Sequence, residues 1–323
     1  MKLNALTLLT ILSCLLPLPA SAKTIWNMPL PYDYTTHQTQ NTQLFAAAVE
    51  SKTFNDLNIR VHPGGKLIKH LDIFPAVRNG QVALGEIFMG TLSDTNPLYA
   101  IDNIPFLVSN FDDARKLWAV TRPFVEQDLQ SRGLKLLYAV PWPPQGFFTN
   151  TRITGINDFA TMKIRTYSAT TSRLSELLAA SPVTVQTPDI AAAFGSGDID
   201  AMITSPTTGV SEQAWSYTHY YLDSRAWIPK DMVFINAQIF QQLPDSMQIA
   251  ILEAAAEAEQ RGWQMAEQET NKKMDIMRRN GMVLYEPSAD FTAQLAHIGQ
   301  LMASEWIDKM GQTGRQIISA LGR

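Results

Sequence analysis

The chain has 323 residues, of which 46% are hydrophobic and 17% charged, and its formal net charge is -4. This length suits about two globular units, and the composition excludes collagen-like, low-complexity and disordered chains. With 26 Lys and Arg against 30 Asp and Glu, the chain has no cationic excess for binding phosphates, which disfavours a dedicated nucleic-acid-binding protein.

The first 22 residues predict a secretory signal peptide. Lys2 gives a basic start, residues 5–18 form an apolar core too short to span a bilayer, and an Ala-x-Ala cleavage site ends at Ala22. The alternative is a lipoprotein box at Cys14, but Cys14 lies inside the apolar core. Cleavage removes the single cysteine, so we expect a periplasmic protein without disulfides or thiolate chemistry.

After the leader, short apolar segments alternate with amphipathic helical ones, which indicates an α/β architecture. The first series contains a strand at 25–28, a helix at 36–51, a strand at 57–62, a helix at 68–79 and a strand at 82–88. From the second strand to the third, the chain has the length of a βαβ unit.

A second series repeats this pattern. It contains strands at 134–140 and 162–166, a helix at 171–180, a strand at 182–185, a helix at 188–196, and a turn and strand at 197–203. Residues 141–148 are rich in proline, and closely spaced prolines stop a strand and hold the chain extended. We predict that this segment crosses between two lobes.

The segment 244–281 predicts one helix of about 35 residues, capped by Asp245 and ended by Gly281. At about 1.5 Å per residue it would span about 50 Å and lean on both lobes. The alternative is a pair of shorter helices kinked at Gly262.

No catalytic or cofactor motif is present. The sequence contains no GxSxG, GxGxxG or GxxxxGK[ST], and its five histidines lack metal-ligand spacing. The glycines of the segment 63–66 are interpreted as a strand-ending turn and not as a phosphate site. We therefore expect no cofactor and no metal.

Arg165 is a charged residue within a predicted apolar strand. Burying a lone guanidinium is costly, so it needs an anionic partner, and its planar fork of donors matches a carboxylate. The residues alone leave two partners open, a bound ligand or an Asp or Glu of this chain.

Six short regions carry a resemblance to a known family. They are 63–67, 77–82, 103–107 with 111–114, 162–165, 194–201 and 227–230. In their order and spacing, and behind a signal peptide, they resemble the DctP family, the periplasmic solute receptors of tripartite ATP-independent periplasmic (TRAP) transporters. The resemblance covers nearly all of the chain from Lys23 to about Arg315.

The resemblance implies a two-lobed α/β periplasmic binding protein fold, with a cleft between the lobes and a long helix spanning both. Lobe I would comprise residues 23–144 with about 232–272, and lobe II residues 145–231 with about 273–323. It also implies a receptor rather than an enzyme. Such a receptor delivers a small-molecule carboxylate to the small and large membrane permease subunits.

The resemblance also implies site residues. In the family the arginine of the K-[LI]-R segment, here Arg165, forms a salt bridge with the carboxylate of an organic acid, which favours the ligand as its partner. The small polar residues after the Gly-x-[ILV]-Asp-[GA] strand are Thr204 and Ser205. Sialic-acid-type members have a second arginine and an acidic residue on the strand ending at Phe88. Neither is expected here. Arg152 lies too close to Arg165 to match the second arginine and is interpreted as a surface residue.

Apolar residues occupy these regions instead, so we expect a monocarboxylate with an apolar or aromatic body that packs among aromatic rings. Each of these rings could also belong to a lobe core. The further candidate ligand-binding residues are Trp142, Phe147, Phe148, Asn150, Tyr167, Phe88, Met89, Tyr34, Trp227 and Asn236, followed by Tyr32, Asp33, Trp215 and Phe234.

Three alternatives stay open. The first is a receptor of the same type for C4-dicarboxylates or sugar acids. The second is a secreted α/β enzyme acting on organic acids, with Asp33, His37 or Tyr167 as acid or base. The third is the receptor of an ATP-driven importer or a sensory ligand-binding protein, which should lack the long helix.

Overall fold

The computed structural model describes residues 23–322, so the predicted leader lies outside the described residues. The strands are β1 (Thr24–Pro29), β2 (Leu57–His62), β3 (Leu84–Phe88), β4 (Leu134–Pro141), β5 (Gly146–Thr149), β6 (Lys163–Thr166), β7 (Ser181–Thr184), β8 (Ala201–Thr204), β9 (Tyr220–Leu222), β10 (Lys230–Asn236) and β11 (Val283–Tyr285). The helices are α1 (His37–Lys52), α2 (His70–Arg78), α3 (Phe111–Ser131), α4 (Ala169–Leu177), α5 (Ile190–Ser196), α6 (Pro206–Ser211), α7 (Ala237–Gln241), α8 (Asp245–Arg279) and α9 (Ala289–Ala320).

The strands are divided between two lobes. In the first lobe β1 and β2 pair in parallel, and β10 lies between β3 and β4, antiparallel to both, with β1 beside β3. In the second lobe six strands form one mixed sheet in the order β11-β9-β5-β8-β6-β7. Here β6 is parallel to its neighbours β7 and β8, whereas β5 is antiparallel to β8 and β9.

Extended segments cross between the lobes from β4 to β5 and from β9 to β10, and α8 connects β10 of the first lobe to β11 of the second. The two extended segments lie side by side: the backbone N–H of Trp142 donates to the Pro229 carbonyl at 2.8 Å, and that of Gln145 donates to the Trp227 carbonyl at 3.0 Å. The proline-rich stretch is therefore extended, as predicted, and the two-lobed α/β fold is confirmed.

The long helix α8 is continuous over 35 residues, so the kinked alternative is wrong. It packs against α1 and β4 of the first lobe and against α6 and β11 of the second. The expected cap is also wrong, because Pro244 occupies the N-cap position without a side-chain hydrogen bond and Asp245 is the first helical residue. Gly281 follows the helix with a φ of +90°, a conformation that glycine adopts without strain.

The C-terminal helix α9, interrupted at Gly311, contacts both α3 and α4. The indole N–H of Trp306 donates to the Pro97 carbonyl at 2.6 Å, and Glu305 pairs with Arg173 at 2.7 Å. Because this helix contacts both lobes, the assignment of residues 273–323 to lobe II stays a prediction.

We expect Gly262→Ala to lower the free energy of unfolding by about 1–3 kcal/mol. A Cβ at this position would lie 2.5 Å from Val140 Cγ2 and 2.9 Å from Asn41 Nδ2, and a β-branched valine on a strand has little rotamer freedom to move away. Urea unfolding followed by circular dichroism measures the change.

Gly195→Ala in α5 is the matched control, because a Cβ there has no neighbouring atom within 4 Å. It should be neutral or stabilising by up to about 1 kcal/mol, the gain in helix propensity. Unchanged stability of the Gly262 variant would contradict the close approach of α8 to β4.

Candidate functional site

A cavity lies between the lobes, with about 420 Å³ of empty space that includes its opening to solvent. One side, which we call the aromatic wall, comes from the first lobe and consists of Tyr32, His70, Phe88 and Trp142. The other side, the polar wall, comes mainly from the second lobe and consists of Gln145, Arg165, Tyr167, Gln186, Thr187, Thr204, Ser205 and Thr208. Pro229 of a crossing segment completes the lining.

Arg165 lies on β6 and is only 3% exposed. Its Nε–H donates to the Val185 carbonyl at 2.9 Å, and its Cζ lies 4.8 Å from the centre of the Tyr167 ring. These two contacts fix the plane of the guanidinium group. Burial lowers the pKa of Arg165 to about 10, which still leaves the side chain cationic at neutral pH.

Within residues 23–322 no carboxylate pairs with Arg165, and Glu212 influences it only at a distance. The alternative of an internal salt bridge is therefore wrong. The residues that line the cavity include no Asp or Glu. The cavity thus holds one positive charge whose terminal nitrogens, Nη1 and Nη2, have no protein acceptor among the described residues.

Hydroxyls and amides supply the rest of the polar wall. Gln145 Oε1 accepts from the Tyr167 hydroxyl at 3.3 Å, while Gln145 Nε2 donates to the Pro143 carbonyl at 2.8 Å. Gly146 follows on β5, where a Cβ would lie 2.5 Å from the Leu222 carbonyl oxygen. Only glycine permits this approach, so Gly146 sets where the preceding glutamine enters the cavity.

The aromatic wall is built from edge-to-face contacts. The ring of Tyr32 lies 4.8 Å from that of Trp142, and Phe88 reaches across the cavity to Tyr167 at 5.4 Å, both between ring centres. Such arrangements match the positive edge of one ring to the negative face of another. The contact between Phe88 and Tyr167 therefore joins the two lobes.

His70 provides a second bridge between the lobes. Its Nε2 accepts from the backbone N–H of Phe88 at 3.2 Å, so in the neutral ring Nδ1 carries the hydrogen, which donates to Gln186. Burial lowers the pKa of His70 to about 4, and the charge of Arg165 acts in the same direction. This histidine is therefore neutral at physiological pH and adds no charge to the cavity.

The structure brings six of the candidate residues together in the cavity lining. They are Arg165, Trp142, Tyr167, Phe88, Thr204 and Ser205, and the lower-ranked Tyr32 joins them. The cavity lining also includes residues that the sequence did not indicate, namely His70, Gln145, Gln186, Thr187, Thr208 and Pro229. The position of Gln145 within the predicted crossing segment was a usable signal, whereas nothing in the sequence around His70 points to a site.

Four apolar candidates are wrong as lining residues because they belong to the core. Strand β5 is covered on both faces, so Phe147 packs against Phe159 at 4.6 Å and Phe148 packs on the opposite face against Tyr221 at 4.7 Å, both between ring centres. Met89 and Trp227 are likewise buried in the main hydrophobic cluster. Phe234, from the lower-ranked group, is part of the same cluster.

Three further candidates, together with Trp215, lie outside the cavity lining. Asn150 is exposed and donates to the Tyr217 carbonyl at 3.0 Å, and Tyr34 is 50% exposed. Asn236 accepts from the first backbone N–H groups of α7 and donates to the Val77 carbonyl, so it caps a helix. Arg152 is exposed, as predicted.

Within residues 23–322, no cluster of three or more His, Cys, Asp or Glu side chains is arranged to hold a metal ion. Over the same range, the helices are too short or too polar to cross a membrane.

Comparisons with known proteins agree with this architecture. The model of the family "Bacterial extracellular solute-binding protein, family 7" (DctP) matches residues 32–309. Two extracytoplasmic solute receptors of Bordetella pertussis described as binding pyroglutamic acid, DctP7 and DctP6, are 40% and 34% identical to this chain, each with a TM-score of 0.91. The matches cover 93% and 92% of this chain and 100% and 99% of theirs.

A TRAP solute-binding protein from a marine metagenome, described as specific for pyroglutamate, is 32% identical, with a TM-score of 0.91. The match covers 93% of this chain and 99% of that protein. The family match, the fold and the receptors of 32–40% identity lead to one conclusion: the chain belongs to the DctP family of bacterial extracellular solute-binding proteins, and it is a TRAP-type solute receptor, not an enzyme.

Proposed function

We propose that this receptor binds a compact monocarboxylate, with pyroglutamate as the leading candidate, and delivers it to the small and large subunits of a TRAP permease. The observation that carries the proposal is the buried guanidinium of Arg165 facing a cavity without acidic residues. One fixed cation matches one carboxylate. A second carboxylate would be desolvated there without a partner, at a high cost in free energy.

The cavity also suits the neutral remainder of such a ligand. Arg165 would hold the carboxylate through two parallel N–H···O bonds, with Thr204 and Ser205 beside it. The amide groups of Gln145 and Gln186 can exchange hydrogen bonds with a lactam N–H and C=O. The rings of the aromatic wall would cover the apolar atoms of the ligand ring. Three related receptors described as binding pyroglutamate support this choice.

The proposal includes closure of the lobes over the ligand. The boundaries are those expected from the sequence, with residues 23–144 and about 232–272 in lobe I and residues 145–231 and about 273–323 in lobe II. A ligand that contacts Arg165 from one lobe and Trp142 from the other favours the closed state, because only that state offers both contacts.

We expect L-pyroglutamate to raise the melting temperature of the purified protein and L-proline to have no effect at equal concentration. Both compounds have a five-membered ring and a carboxylate, but the ammonium group of proline would face Arg165 without an acidic partner. At about 100 times its Kd, pyroglutamate should stabilise the protein by about 2.7 kcal/mol. Thermal-shift measurements give the change in melting temperature, and titration calorimetry gives the Kd of each compound.

Proline should bind at least about 100-fold more weakly than pyroglutamate. Succinate and gluconate complete the panel as a dicarboxylate and a sugar acid. Tighter binding of either one would contradict the argument from a single cation.

We expect Arg165→Met to weaken binding of L-pyroglutamate by at least about 100-fold, because the carboxylate loses its only cationic partner. Arg165→Lys keeps the charge but loses the planar fork, so an intermediate loss of about 10-fold is expected. Without ligand, the Met variant should stay within about 1 kcal/mol of the wild-type stability, because a buried unpaired charge is removed.

Arg152→Met is the matched control, since it removes one exposed arginine. Its affinity should equal that of the wild type. If Arg165→Met keeps full affinity, the ligand carboxylate is not bound by Arg165 and the proposed site is wrong. Titration calorimetry of the wild type and the three variants measures the affinity, and thermal unfolding measures their stability without ligand.

We also propose that the protein reaches the periplasm through a leader cleaved after Ala22. The mature protein recovered from the periplasm of a Gram-negative host should begin at Lys23, and mass spectrometry of the intact chain measures this. Retention of residues 1–22 would contradict the cleavage site.

A further inference from the structure

Two acidic side chains lie behind the aromatic wall, on neighbouring antiparallel strands. Glu86 of β3 is 2% exposed and Asp231 of β10 is 1% exposed. Glu86 pairs with Val233 and Phe88 pairs with Asp231, so the two acids are diagonal neighbours on one face of the sheet. Their carboxyl groups lie within hydrogen-bonding reach of each other. The strand ending at Phe88 therefore does carry an acid, but this acid does not line the cavity.

One oxygen of each carboxyl has a donor. Asp231 Oδ1 accepts from the indole N–H of Trp142 at 3.0 Å, and Glu86 Oε2 accepts from the Thr42 hydroxyl at 2.7 Å. The other two oxygens, Glu86 Oε1 and Asp231 Oδ2, are buried and have no donor among the described residues. Two ionised carboxylates would leave both oxygens unsatisfied and repel each other, whereas a single proton between them satisfies both.

Neither acid forms a salt bridge within residues 23–322, because the buried cation next to Asp231 on β10, Lys230, pairs with Asp102 at 2.8 Å. Other titratable groups around the pair include Tyr32, Tyr138 on β4, and His37 beside Trp142. The charge of Arg165 acts on Tyr32, that of Arg261 on Tyr138, and burial lowers the pKa of His37 to about 4, so this histidine is neutral. Burial raises the pKa of Glu86 to about 7 and that of Asp231 well above its ordinary value.

We propose that Glu86 and Asp231 share one proton, and that the protonated pair positions the aromatic wall of the ligand site. Asp231 is the link, because it accepts from the Trp142 indole, whose ring packs 4.8 Å from that of Tyr32 between ring centres. Loss of the proton places two negative charges side by side behind the wall and loosens the position of both rings. Ligand affinity therefore falls as the pH rises.

The direction of the pH effect follows from linkage. At pH values above the ordinary range of a carboxyl, the folded protein keeps a proton that the unfolded chain has released. The pair's contribution to stability is therefore full in acid and is lost as the pH rises through the raised pKa values of the two carboxyls. The shared proton can be tested without ligand, whereas the effect on affinity rests on the proposed function.

The first test is an infrared pH titration of the ligand-free protein. The wild type should show the carbonyl stretch of a buried protonated carboxylic acid, which disappears as the pH rises. Glu86→Gln and Asp231→Asn should both lack the band, because each leaves a single carboxylate that accepts from the new amide. Glu269→Gln is the matched control: Glu269 is also buried but pairs with Lys272 and Lys273, so its removal should leave the band unchanged.

Absence of the band from the wild type at pH 5–6 overturns the shared proton, and this result does not depend on any variant folding. Retention of the band in both the Glu86 and Asp231 variants overturns its assignment to this pair.

The second test is the affinity for L-pyroglutamate between pH 5.5 and 8.5. The wild-type affinity should fall by roughly 3–10-fold over this range. A change of this size is expected if ligand binding shifts the pair's pKa by about one unit or less. Glu86→Gln should show an affinity that does not change with pH. A lower affinity for this variant with the wild-type slope retained would mean that Glu86 is only structural, and would overturn the positioning role.

If pyroglutamate fails to bind at any pH, the proposed ligand is wrong. The infrared titration then still decides whether the two acids share a proton.

Discussion

The unpaired guanidinium of Arg165 is the constraint on which the site depends. A buried cation is stable only with an anion beside it, and the described chain supplies none. The bond to the Val185 carbonyl and the face of the Tyr167 ring fix the group, so its terminal nitrogens already point at the cavity before a ligand arrives. In the proposed function, a ligand carboxylate would therefore neutralise the buried guanidinium and would meet donors that need little reorganisation.

Residues from both lobes enclose this site. Paired crossing segments bring Trp142 and Gln145 to the same cavity, one on each wall, and α8 packs against both lobes. The polar wall offers one cation and several hydrogen-bonding groups, whereas the aromatic wall sets the shape of the cavity. The aromatic wall in turn depends on buried polar groups, since Asp231 accepts from the indole of Trp142. In the proposed sharing of a proton by Glu86 and Asp231, this hydrogen bond is the connection between the buried pair and the ligand site.

Apolar periodicity was enough to predict most strands and helices, because apolar spacing reflects local geometry. The long α8 was predicted from its composition, which is rich in helix-favouring residues and lacks proline. It could not separate cleft rings from core rings. Trp142 lines the cavity, while Phe147 and Phe148 lie on a strand covered on both faces, and all three are buried aromatics in one short stretch of sequence. His70 was missed for a related reason, since its role comes from Phe88 and Gln186, which are distant in the sequence.

The sequence alone therefore determined the α/β class, the resemblance to a receptor family and the choice of Arg165 as the residue that needs an anion, because these depend on residue types and their spacing. Only the tertiary structure decided that no acid of the described chain pairs with this arginine, which rings face the cavity, and that Glu86 lies against Asp231. These properties depend on which distant strands become neighbours, and a side chain's burial, partners and charge balance are set by those neighbours.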